Sequence, residues 1–396
     1  MPKPKGNILR ISKYLLSCVG FWKFEDSKQN YVIRSIYLFY SMAIKFYFTV
    51  VVVSIFIQFI ITIANNSSNS NTETFRQLSH LISLLTAHYI MLVTQSAKFD
   101  KILSHMTILE RSMLESEDKE VSDSHLNEIR YSNHVSYSFS ILTLCTGSFF
   151  LLENYKNNVS VAKLNKKNNQ TLERPLLVEL YYYKINKDKH ANTLFIANEI
   201  TIILNTFIII STKIIIFTCI VFASSVLKKL QIMFRKYAVY NDDIPMNLKC
   251  LVSDHCSVIR YVKNLNDSVK YPILLEYILN SMSVAAVSVE VIMEEHNNLM
   301  FRPAFYLCLL VVQVFTMGLI SNEVIIQSIM LTDALYESPW YDQNKYIQKL
   351  LLTVIIRCQR PLVLTIGPFQ PMTLGSALAI CKASYSYVSL MIRNYQ

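Results

Sequence analysis

Among the ionisable side chains that interrupt long, largely apolar runs are Lys45, His80, His88, Lys213 and Lys382. A charge inside an apolar run is costly unless it reaches an interface, a water-filled cavity or a partner, so such positions are the first places to look for binding or conduction. Lys45 sits near one end of its run, where its aliphatic stem can carry the ammonium to the membrane surface. Lys213 lies deeper in a longer run and is open to a role in binding. His80 and His88 are two helical turns apart on one face. A metal would require a carboxylate or a third ligand nearby, and none is close in sequence, so the pair reads as packed or cavity-lining. There is no CxxC or Cys/His metal spacing, no nucleophile with an adjacent base and no Gly-rich phosphate loop. The sequence therefore assigns no catalytic residue, no metal and no cofactor, and an enzyme is not expected.

The elements that must position these residues are long and hydrophobic. Hydrophobic residues make up 52% of the 396-residue chain and charged residues 17%, and the mean hydropathy is +0.30, outside the range of an ordinary soluble domain. The net charge of +10 does not indicate nucleic acid, because Lys and Arg cluster between apolar runs instead of on one face. Runs long enough to cross a bilayer fall at residues 35–63, 75–94, 131–152, 194–226, 271–293, 303–330 and 372–394. They predict an all-α membrane protein of seven spans. No cleavable signal peptide is evident, so the first span is expected to act as its own insertion signal. A cytoplasmic N-terminus puts most loop Lys and Arg on the inside and makes the C-terminus extracellular.

The sequons at Asn65, Asn66, Asn158 and Asn169 all fall in loops that this topology places outside, where glycosylation is expected. Of the cysteines, Cys145, Cys219, Cys308 and Cys381 lie in spans and Cys18, Cys250, Cys256 and Cys358 in segments expected inside, so no disulfide is expected.

The last span is the most polar. With Lys382, Ser384, Ser386, Ser389 and Arg393 it is unsuited to lipid on every side and is expected to line water or pack on protein. Gly375, Ala379 and Ala383 recur every four residues, a pattern that lets helices approach closely. Ser376, Ala379, Ser386 and Arg393 share a neighbouring stripe, with Leu390 beside it. Before this span, Ile347, Leu350, Leu351, Val354, Ile355 and Cys358 recur at helical spacing, between Pro339 with its aromatic pair Trp340 and Tyr341 and the terminating Pro361. This is expected to be a cytoplasmic helix burying one stripe against a partner. Residues 227–270 are expected to extend the fourth and fifth spans below the membrane and form a small bundle with it. The organisation expected is thus a cytoplasmic segment 1–34, a six-helix bundle 35–330, an anchor segment 331–371 and a last helix 372–396.

At the C-terminal third the chain resembles the insect odorant receptors. The resemblance rests on YESPWY at residues 336–341, on RCQRPLVLTIG at 357–367 and on SYSY at 384–387. The related gustatory receptors are the nearest alternative; their last helix carries a Thr-Tyr…Gln-Phe pattern that Ser386-Tyr387 only half satisfies. A G-protein-coupled receptor is disfavoured by the inward N-terminus and by the lack of D/E-R-Y and N-P-x-x-Y motifs, and a transporter by the lack of internal repeats.

The resemblance implies an odorant-gated, non-selective cation channel in the plasma membrane of olfactory neurons. In it, a variable subunit assembles with a shared co-receptor as a heterotetramer in membrane lipid. The last helix then lines the pore, with Leu390 at the gate, Ser386 one turn before it, and Arg393 and Asn394 near the mouth. Arg393 departs from the uncharged residue expected there and disfavours a homotetrameric cation pore. The implied pocket for a small volatile ligand lies in the outer half of the bundle. It is bordered by His80, Ser83 and Leu84 of the second span, Thr143, Thr146, Gly147 and Phe150 of the third, Asn198, Ile202 and Asn205 of the fourth, and Tyr306, Leu309 and Gln313 of the sixth.

Overall fold

The computed structural model describes residues 7–22, 31–64, 71–116, 118–168, 190–236, 244–293 and 301–395. The helices are α1 (Arg10–Cys18), α2 (Tyr31–Ala64), α3 (Asn71–Thr94), α4 (Ala97–Leu114), α5 (Lys119–Asn168), α6 (Ala191–Lys236), α7 (Ile244–Met293), α8 (Phe301–Tyr336), α9 (Lys345–Cys358) and α10 (Leu374–Tyr395), with a two-stranded hairpin β1 (Thr365–Ile366) and β2 (Gln370–Pro371) between the last two. Each of the seven expected spans has its own helix. Among the described residues, four of these helices, α2, α5, α6 and α8, are long and apolar enough on their own to cross a membrane.

The core is organised around α6. Its apolar window is 83% buried, whereas that of α2 is 22% buried, because α6 packs on α1, α3, α4, α5, α7 and α8 while α2 leans mainly on α3. The outward residues of α2, among them Phe39, Phe46, Val53 and Ile60, are exposed apolar side chains suited to lipid.

Several elements run further than the hydropathy implied. The third span was expected to end at residue 152, but α5 continues to Asn168, so Asn158 lies in a helix and not in a loop and is 6% exposed. Asn65, Asn66 and Asn169 fall outside the described residues. The helices α6 and α7 run past the expected spans, to Lys236 and from Ile244, and α9 packs on α8, with Cys358 of α9 beside His255 of α7. Asn344 caps α9 by accepting the Ile347 amide at 2.9 Å, and Ile347, Leu351, Val354 and Cys358 form its buried stripe. Besides α1, two elements were not anticipated. One is α4, which opens at Ser96, whose side chain accepts from the Phe99 amide. The other is the hairpin, which gives Thr365 and Gly367 of the 357–367 motif their places. Thr365 donates its amide to Asn266 Oδ1 at 2.8 Å, and Gly367 donates to the Lys270 carbonyl at 3.0 Å. Gly367 has φ +57, a conformation that favours glycine, and a Cβ there would come within 2.8 Å of Leu274 Cδ2, so a side chain would be strained and would displace Leu274. The connection to α10 is thereby strapped to α7.

In α10 the second expected stripe does not form a single face. Ser376, Ala377, Ile380 and Ser384 face inward and are buried, so Ser376 does not share an outward stripe with Ser386, which is exposed, while Gly375 and Ala379 also face outward. The Ser384 and Ser386 hydroxyls donate to the Ile380 and Lys382 carbonyls one turn back, the usual arrangement for hydroxyls within membrane helices. The side chains of Leu390, Arg393 and Asn394 lie outside the described residues.

Candidate ligand-binding cavity

Four helices enclose a cavity of about 80 Å³. His80, Ser83 and Leu84 reach it from α3, and Thr143, Thr146, Gly147 and Phe150 from α5; Ile202, Asn205, Thr206 and Ile209 face it from α6, and Tyr306 and Leu309 from α8. Within each helix these positions are three or four residues apart, so each presents one face. Eleven of the thirteen residues expected at the pocket line the cavity.

The other two do not. Asn198 is buried one turn from Ile202 on α6, and Gln313, one turn beyond Leu309 on α8, turns its side chain to Glu276 of α7. Thr206 and Ile209 were missed. Each lies four residues after a residue that was anticipated, Ile202 and Asn205, so continuing the helical period by one turn would have found both.

Three rings define one wall. His80 meets Phe150 edge-on with centroids 4.9 Å apart and stacks on Tyr306 at 5.7 Å, while Phe150 and Tyr306 meet edge-on at 5.8 Å. Such arrangements hold aromatic side chains in fixed orientation. His88, by contrast, packs on Phe48 with centroids 5.6 Å apart, so the two histidines do not converge on one site.

The opposite wall is made apolar by internal hydrogen bonding. Thr143, Thr146 and Thr206 donate their hydroxyls to the Phe139, Leu142 and Ile202 carbonyls, each at 2.8 Å. Their methyl groups and remaining lone pairs are what is left for a ligand. Asn205 Oδ1 is buried and has no hydrogen-bond partner among the described residues. Gly147 sets how closely α5 and α6 approach, because a Cβ there would lie 2.9 Å from Thr206 Oγ1. The cavity thus offers shape, aromatic faces and a few polar atoms, a combination that recognises small, largely apolar molecules by dispersion and orients them by single hydrogen bonds.

A family model described as 7tm Odorant receptor matches residues 72–385. Odorant receptor 10 of Aedes albopictus is 32% identical over 155 residues, covering 39% of this chain and 41% of that protein. Odorant receptor Or2 of Anopheles gambiae is 33% identical over 148 residues, covering 37% and 39%. The chain thus aligns with about two fifths of the length of these curated relatives. In fold it is similar to the structure of the insect olfactory receptor OR5 from Machilis hrabei in complex with eugenol, with a TM-score of 0.81 at 15% identity over 98% of this chain and 97% of that one.

Proposed function

The chain belongs to the 7tm odorant receptor family, and from that premise we propose that it is the odorant-tuning subunit of a ligand-gated, non-selective cation channel assembled with a shared co-receptor. The observation that carries the reading is the cavity enclosed by α3, α5, α6 and α8, with its ring trio and self-bonded threonines. Its ligand is a small volatile molecule, the size class of the eugenol named with the Machilis hrabei receptor. The cavity, at about 80 Å³, is smaller than the ~300 Å³ at which ligand pockets begin. Occupancy therefore requires the surrounding helices or side chains to part, and a ligand that binds the parted arrangement better shifts the chain toward it.

In this reading α10 lines the pore. Ser386 faces it, Leu390 forms the gate, and Arg393 and Asn394 stand near the mouth. The N-terminus is cytoplasmic, the C-terminus extracellular, and α9 belongs to the cytoplasmic anchor of a heterotetramer in the plasma membrane of olfactory neurons. The polarity of α10, which does not qualify as a span by hydropathy among the described residues, supports a helix shielded by neighbouring protomers. The test is whole-cell recording from cells expressing this chain with the co-receptor across volatile alcohols, esters, ketones and phenols. Inward current to a subset of the panel is expected. No current from any member, with the protein at the surface, overturns the reading.

A further inference from the structure

Directly beneath the cavity three helices meet through polar side chains. Lys213 of α6 places Nζ 2.6 Å from Glu276 Oε2 of α7, with the two side chains 3% and 1% exposed. Gln313 of α8 donates Nε2 to the other carboxylate oxygen at 2.5 Å. The register is tight. Ile209 lines the cavity and Lys213 follows one turn later on the same face of α6, while Leu309 lines it and Gln313 follows one turn later on α8. The ammonium and Oε2 meet as an ion pair off the hydrogen-bond direction, which leaves both atoms without an aligned hydrogen bond among the described residues.

Stability alone does not account for such a cluster. A buried ion pair contributes little net stability compared with apolar residues of similar volume, and an intramembrane charge marks function by default. The connections leaving the cluster point to α10. Neither α7 nor α10 contributes a described residue to the cavity wall. Yet Tyr277, next to Glu276, sets its hydroxyl beside Ser376 of α10, and one turn on, the Ser281 carbonyl lies 3.0 Å from the Ser384 hydroxyl, whose proton it shares with the Ile380 carbonyl. On α8, Gly318 approaches α10 so closely that a Cβ would lie 3.0 Å from the Thr373 carbonyl.

We propose that Lys213, Glu276 and Gln313 form the positioning element that carries occupancy of the cavity to α10. A ligand that parts α6 from α8 changes the separation of Lys213 and Gln313. Glu276, held by both, must follow one of them, and α7 moves with it against Ser376 and Ser384. The inference rests on the odorant-gated reading for its physiological meaning, but the mechanical linkage is testable without it.

The experiment compares wild type with three proteins: Lys213→Met/Glu276→Leu, the exchange Lys213→Glu/Glu276→Lys, and Gln313→Leu. Each is co-expressed with the co-receptor, surface abundance is measured by biotinylation, and dose–response curves are recorded with the volatile panel. Hydrogen exchange of residues 374–384 is followed in the purified proteins. Because the apolar double substitution removes both charges together, it is expected at wild-type surface abundance. Its half-maximal odorant concentration is expected to shift about tenfold, with faster exchange in α10, and the exchanged pair to recover most of both. Wild-type dose–response and wild-type α10 exchange in the apolar double variant overturn the proposal. If that variant does not fold, Gln313→Leu, which leaves the ion pair intact, decides the matter through the same two measurements. A wild-type protein at the surface but silent to the panel overturns the odorant-gated reading instead, and exchange in α10 alone then decides the linkage.

Discussion

Gly147 shows how much of the cavity depends on one absent methyl group. A Cβ at this position would sit 2.9 Å from Thr206 Oγ1 and 3.1 Å from its methyl carbon, so Gly147→Ala must push Thr206 into the cavity or part α5 from α6. Either change alters a space of about 80 Å³. Odorant sensitivity is expected to fall about tenfold, an effect the size of one lost methylene-scale fit, with surface abundance retained; dose–response curves check it. Tyr306→Ala removes the ring that both His80 and Phe150 contact. It is expected to change which panel members open the channel without changing the permeability ratios of the open pore, and altered permeability ratios would count against placing Tyr306 in the ligand site. Helical spacing within each span made most of these positions legible in the sequence once the resemblance had named the helices. The partner of Lys213 was not legible, because hydropathy locates spans along the chain but says nothing of which spans are neighbours. Glu276 became its counter-ion only through the packing of α6 on α7.

At the scale of elements, α9 was legible because its apolar stripe and the bounding Pro339 and Pro361 agree with one another. Its docking site was not. The buried Cys358 of α9 places Sγ 3.8 Å from His255 Nε2 of α7. Burial, aided by the charge of Arg357, pushes the His255 imidazole down to about 4, and burial pushes the Cys358 thiol up to about 11. Both groups are therefore neutral near pH 7, and the thiol can donate to the imidazole. Unfolded, the histidine has its ordinary value of about 6.5. Between pH ~6.5 and ~4 the unfolded chain binds a proton that the folded chain does not, so stability falls as pH falls through that window, by up to about 3 kcal/mol from this group. Melting temperatures of purified protein at pH 7 and pH 5 are expected to differ less for His255→Leu than for wild type; equal differences would remove His255 as the cause. The 365–371 hairpin escaped notice because two residues per strand leave no periodicity to read, although the TIG sequence that closes its turn was already visible as a motif.

For the whole molecule, one end of α6 gathers its neighbours by charge. Lys228 lies 2.7 Å from Glu128 of α5 and 3.2 Å from Glu323 of α8, and Arg235 pairs with Glu337. Lys236 holds Asp118 and Glu120 at the start of α5. This basic end is the side that the loop charges assign to the cytoplasm. An epitope fused to the C-terminus is accordingly expected to bind antibody on intact, unpermeabilised cells, and labelling only after permeabilisation would reverse the orientation. The sequence made the number of long helices legible, since each must be long enough to cross, but hydropathy ranks helices by composition and not by position. The most apolar runs, α2 and α6, have similar mean hydropathies of 2.4 and 2.3 yet are 22% and 83% buried. That contrast bears on biogenesis. A segment as greasy as α6 leaves the translocon for lipid readily, but its final place is encircled by partners made both before and after it. Until α7 and α8 have been synthesised, the faces of α6 that they cover have only acyl chains to touch, so a ribosome stalled between α6 and α7 is expected to hold an inserted but only half-enclosed intermediate.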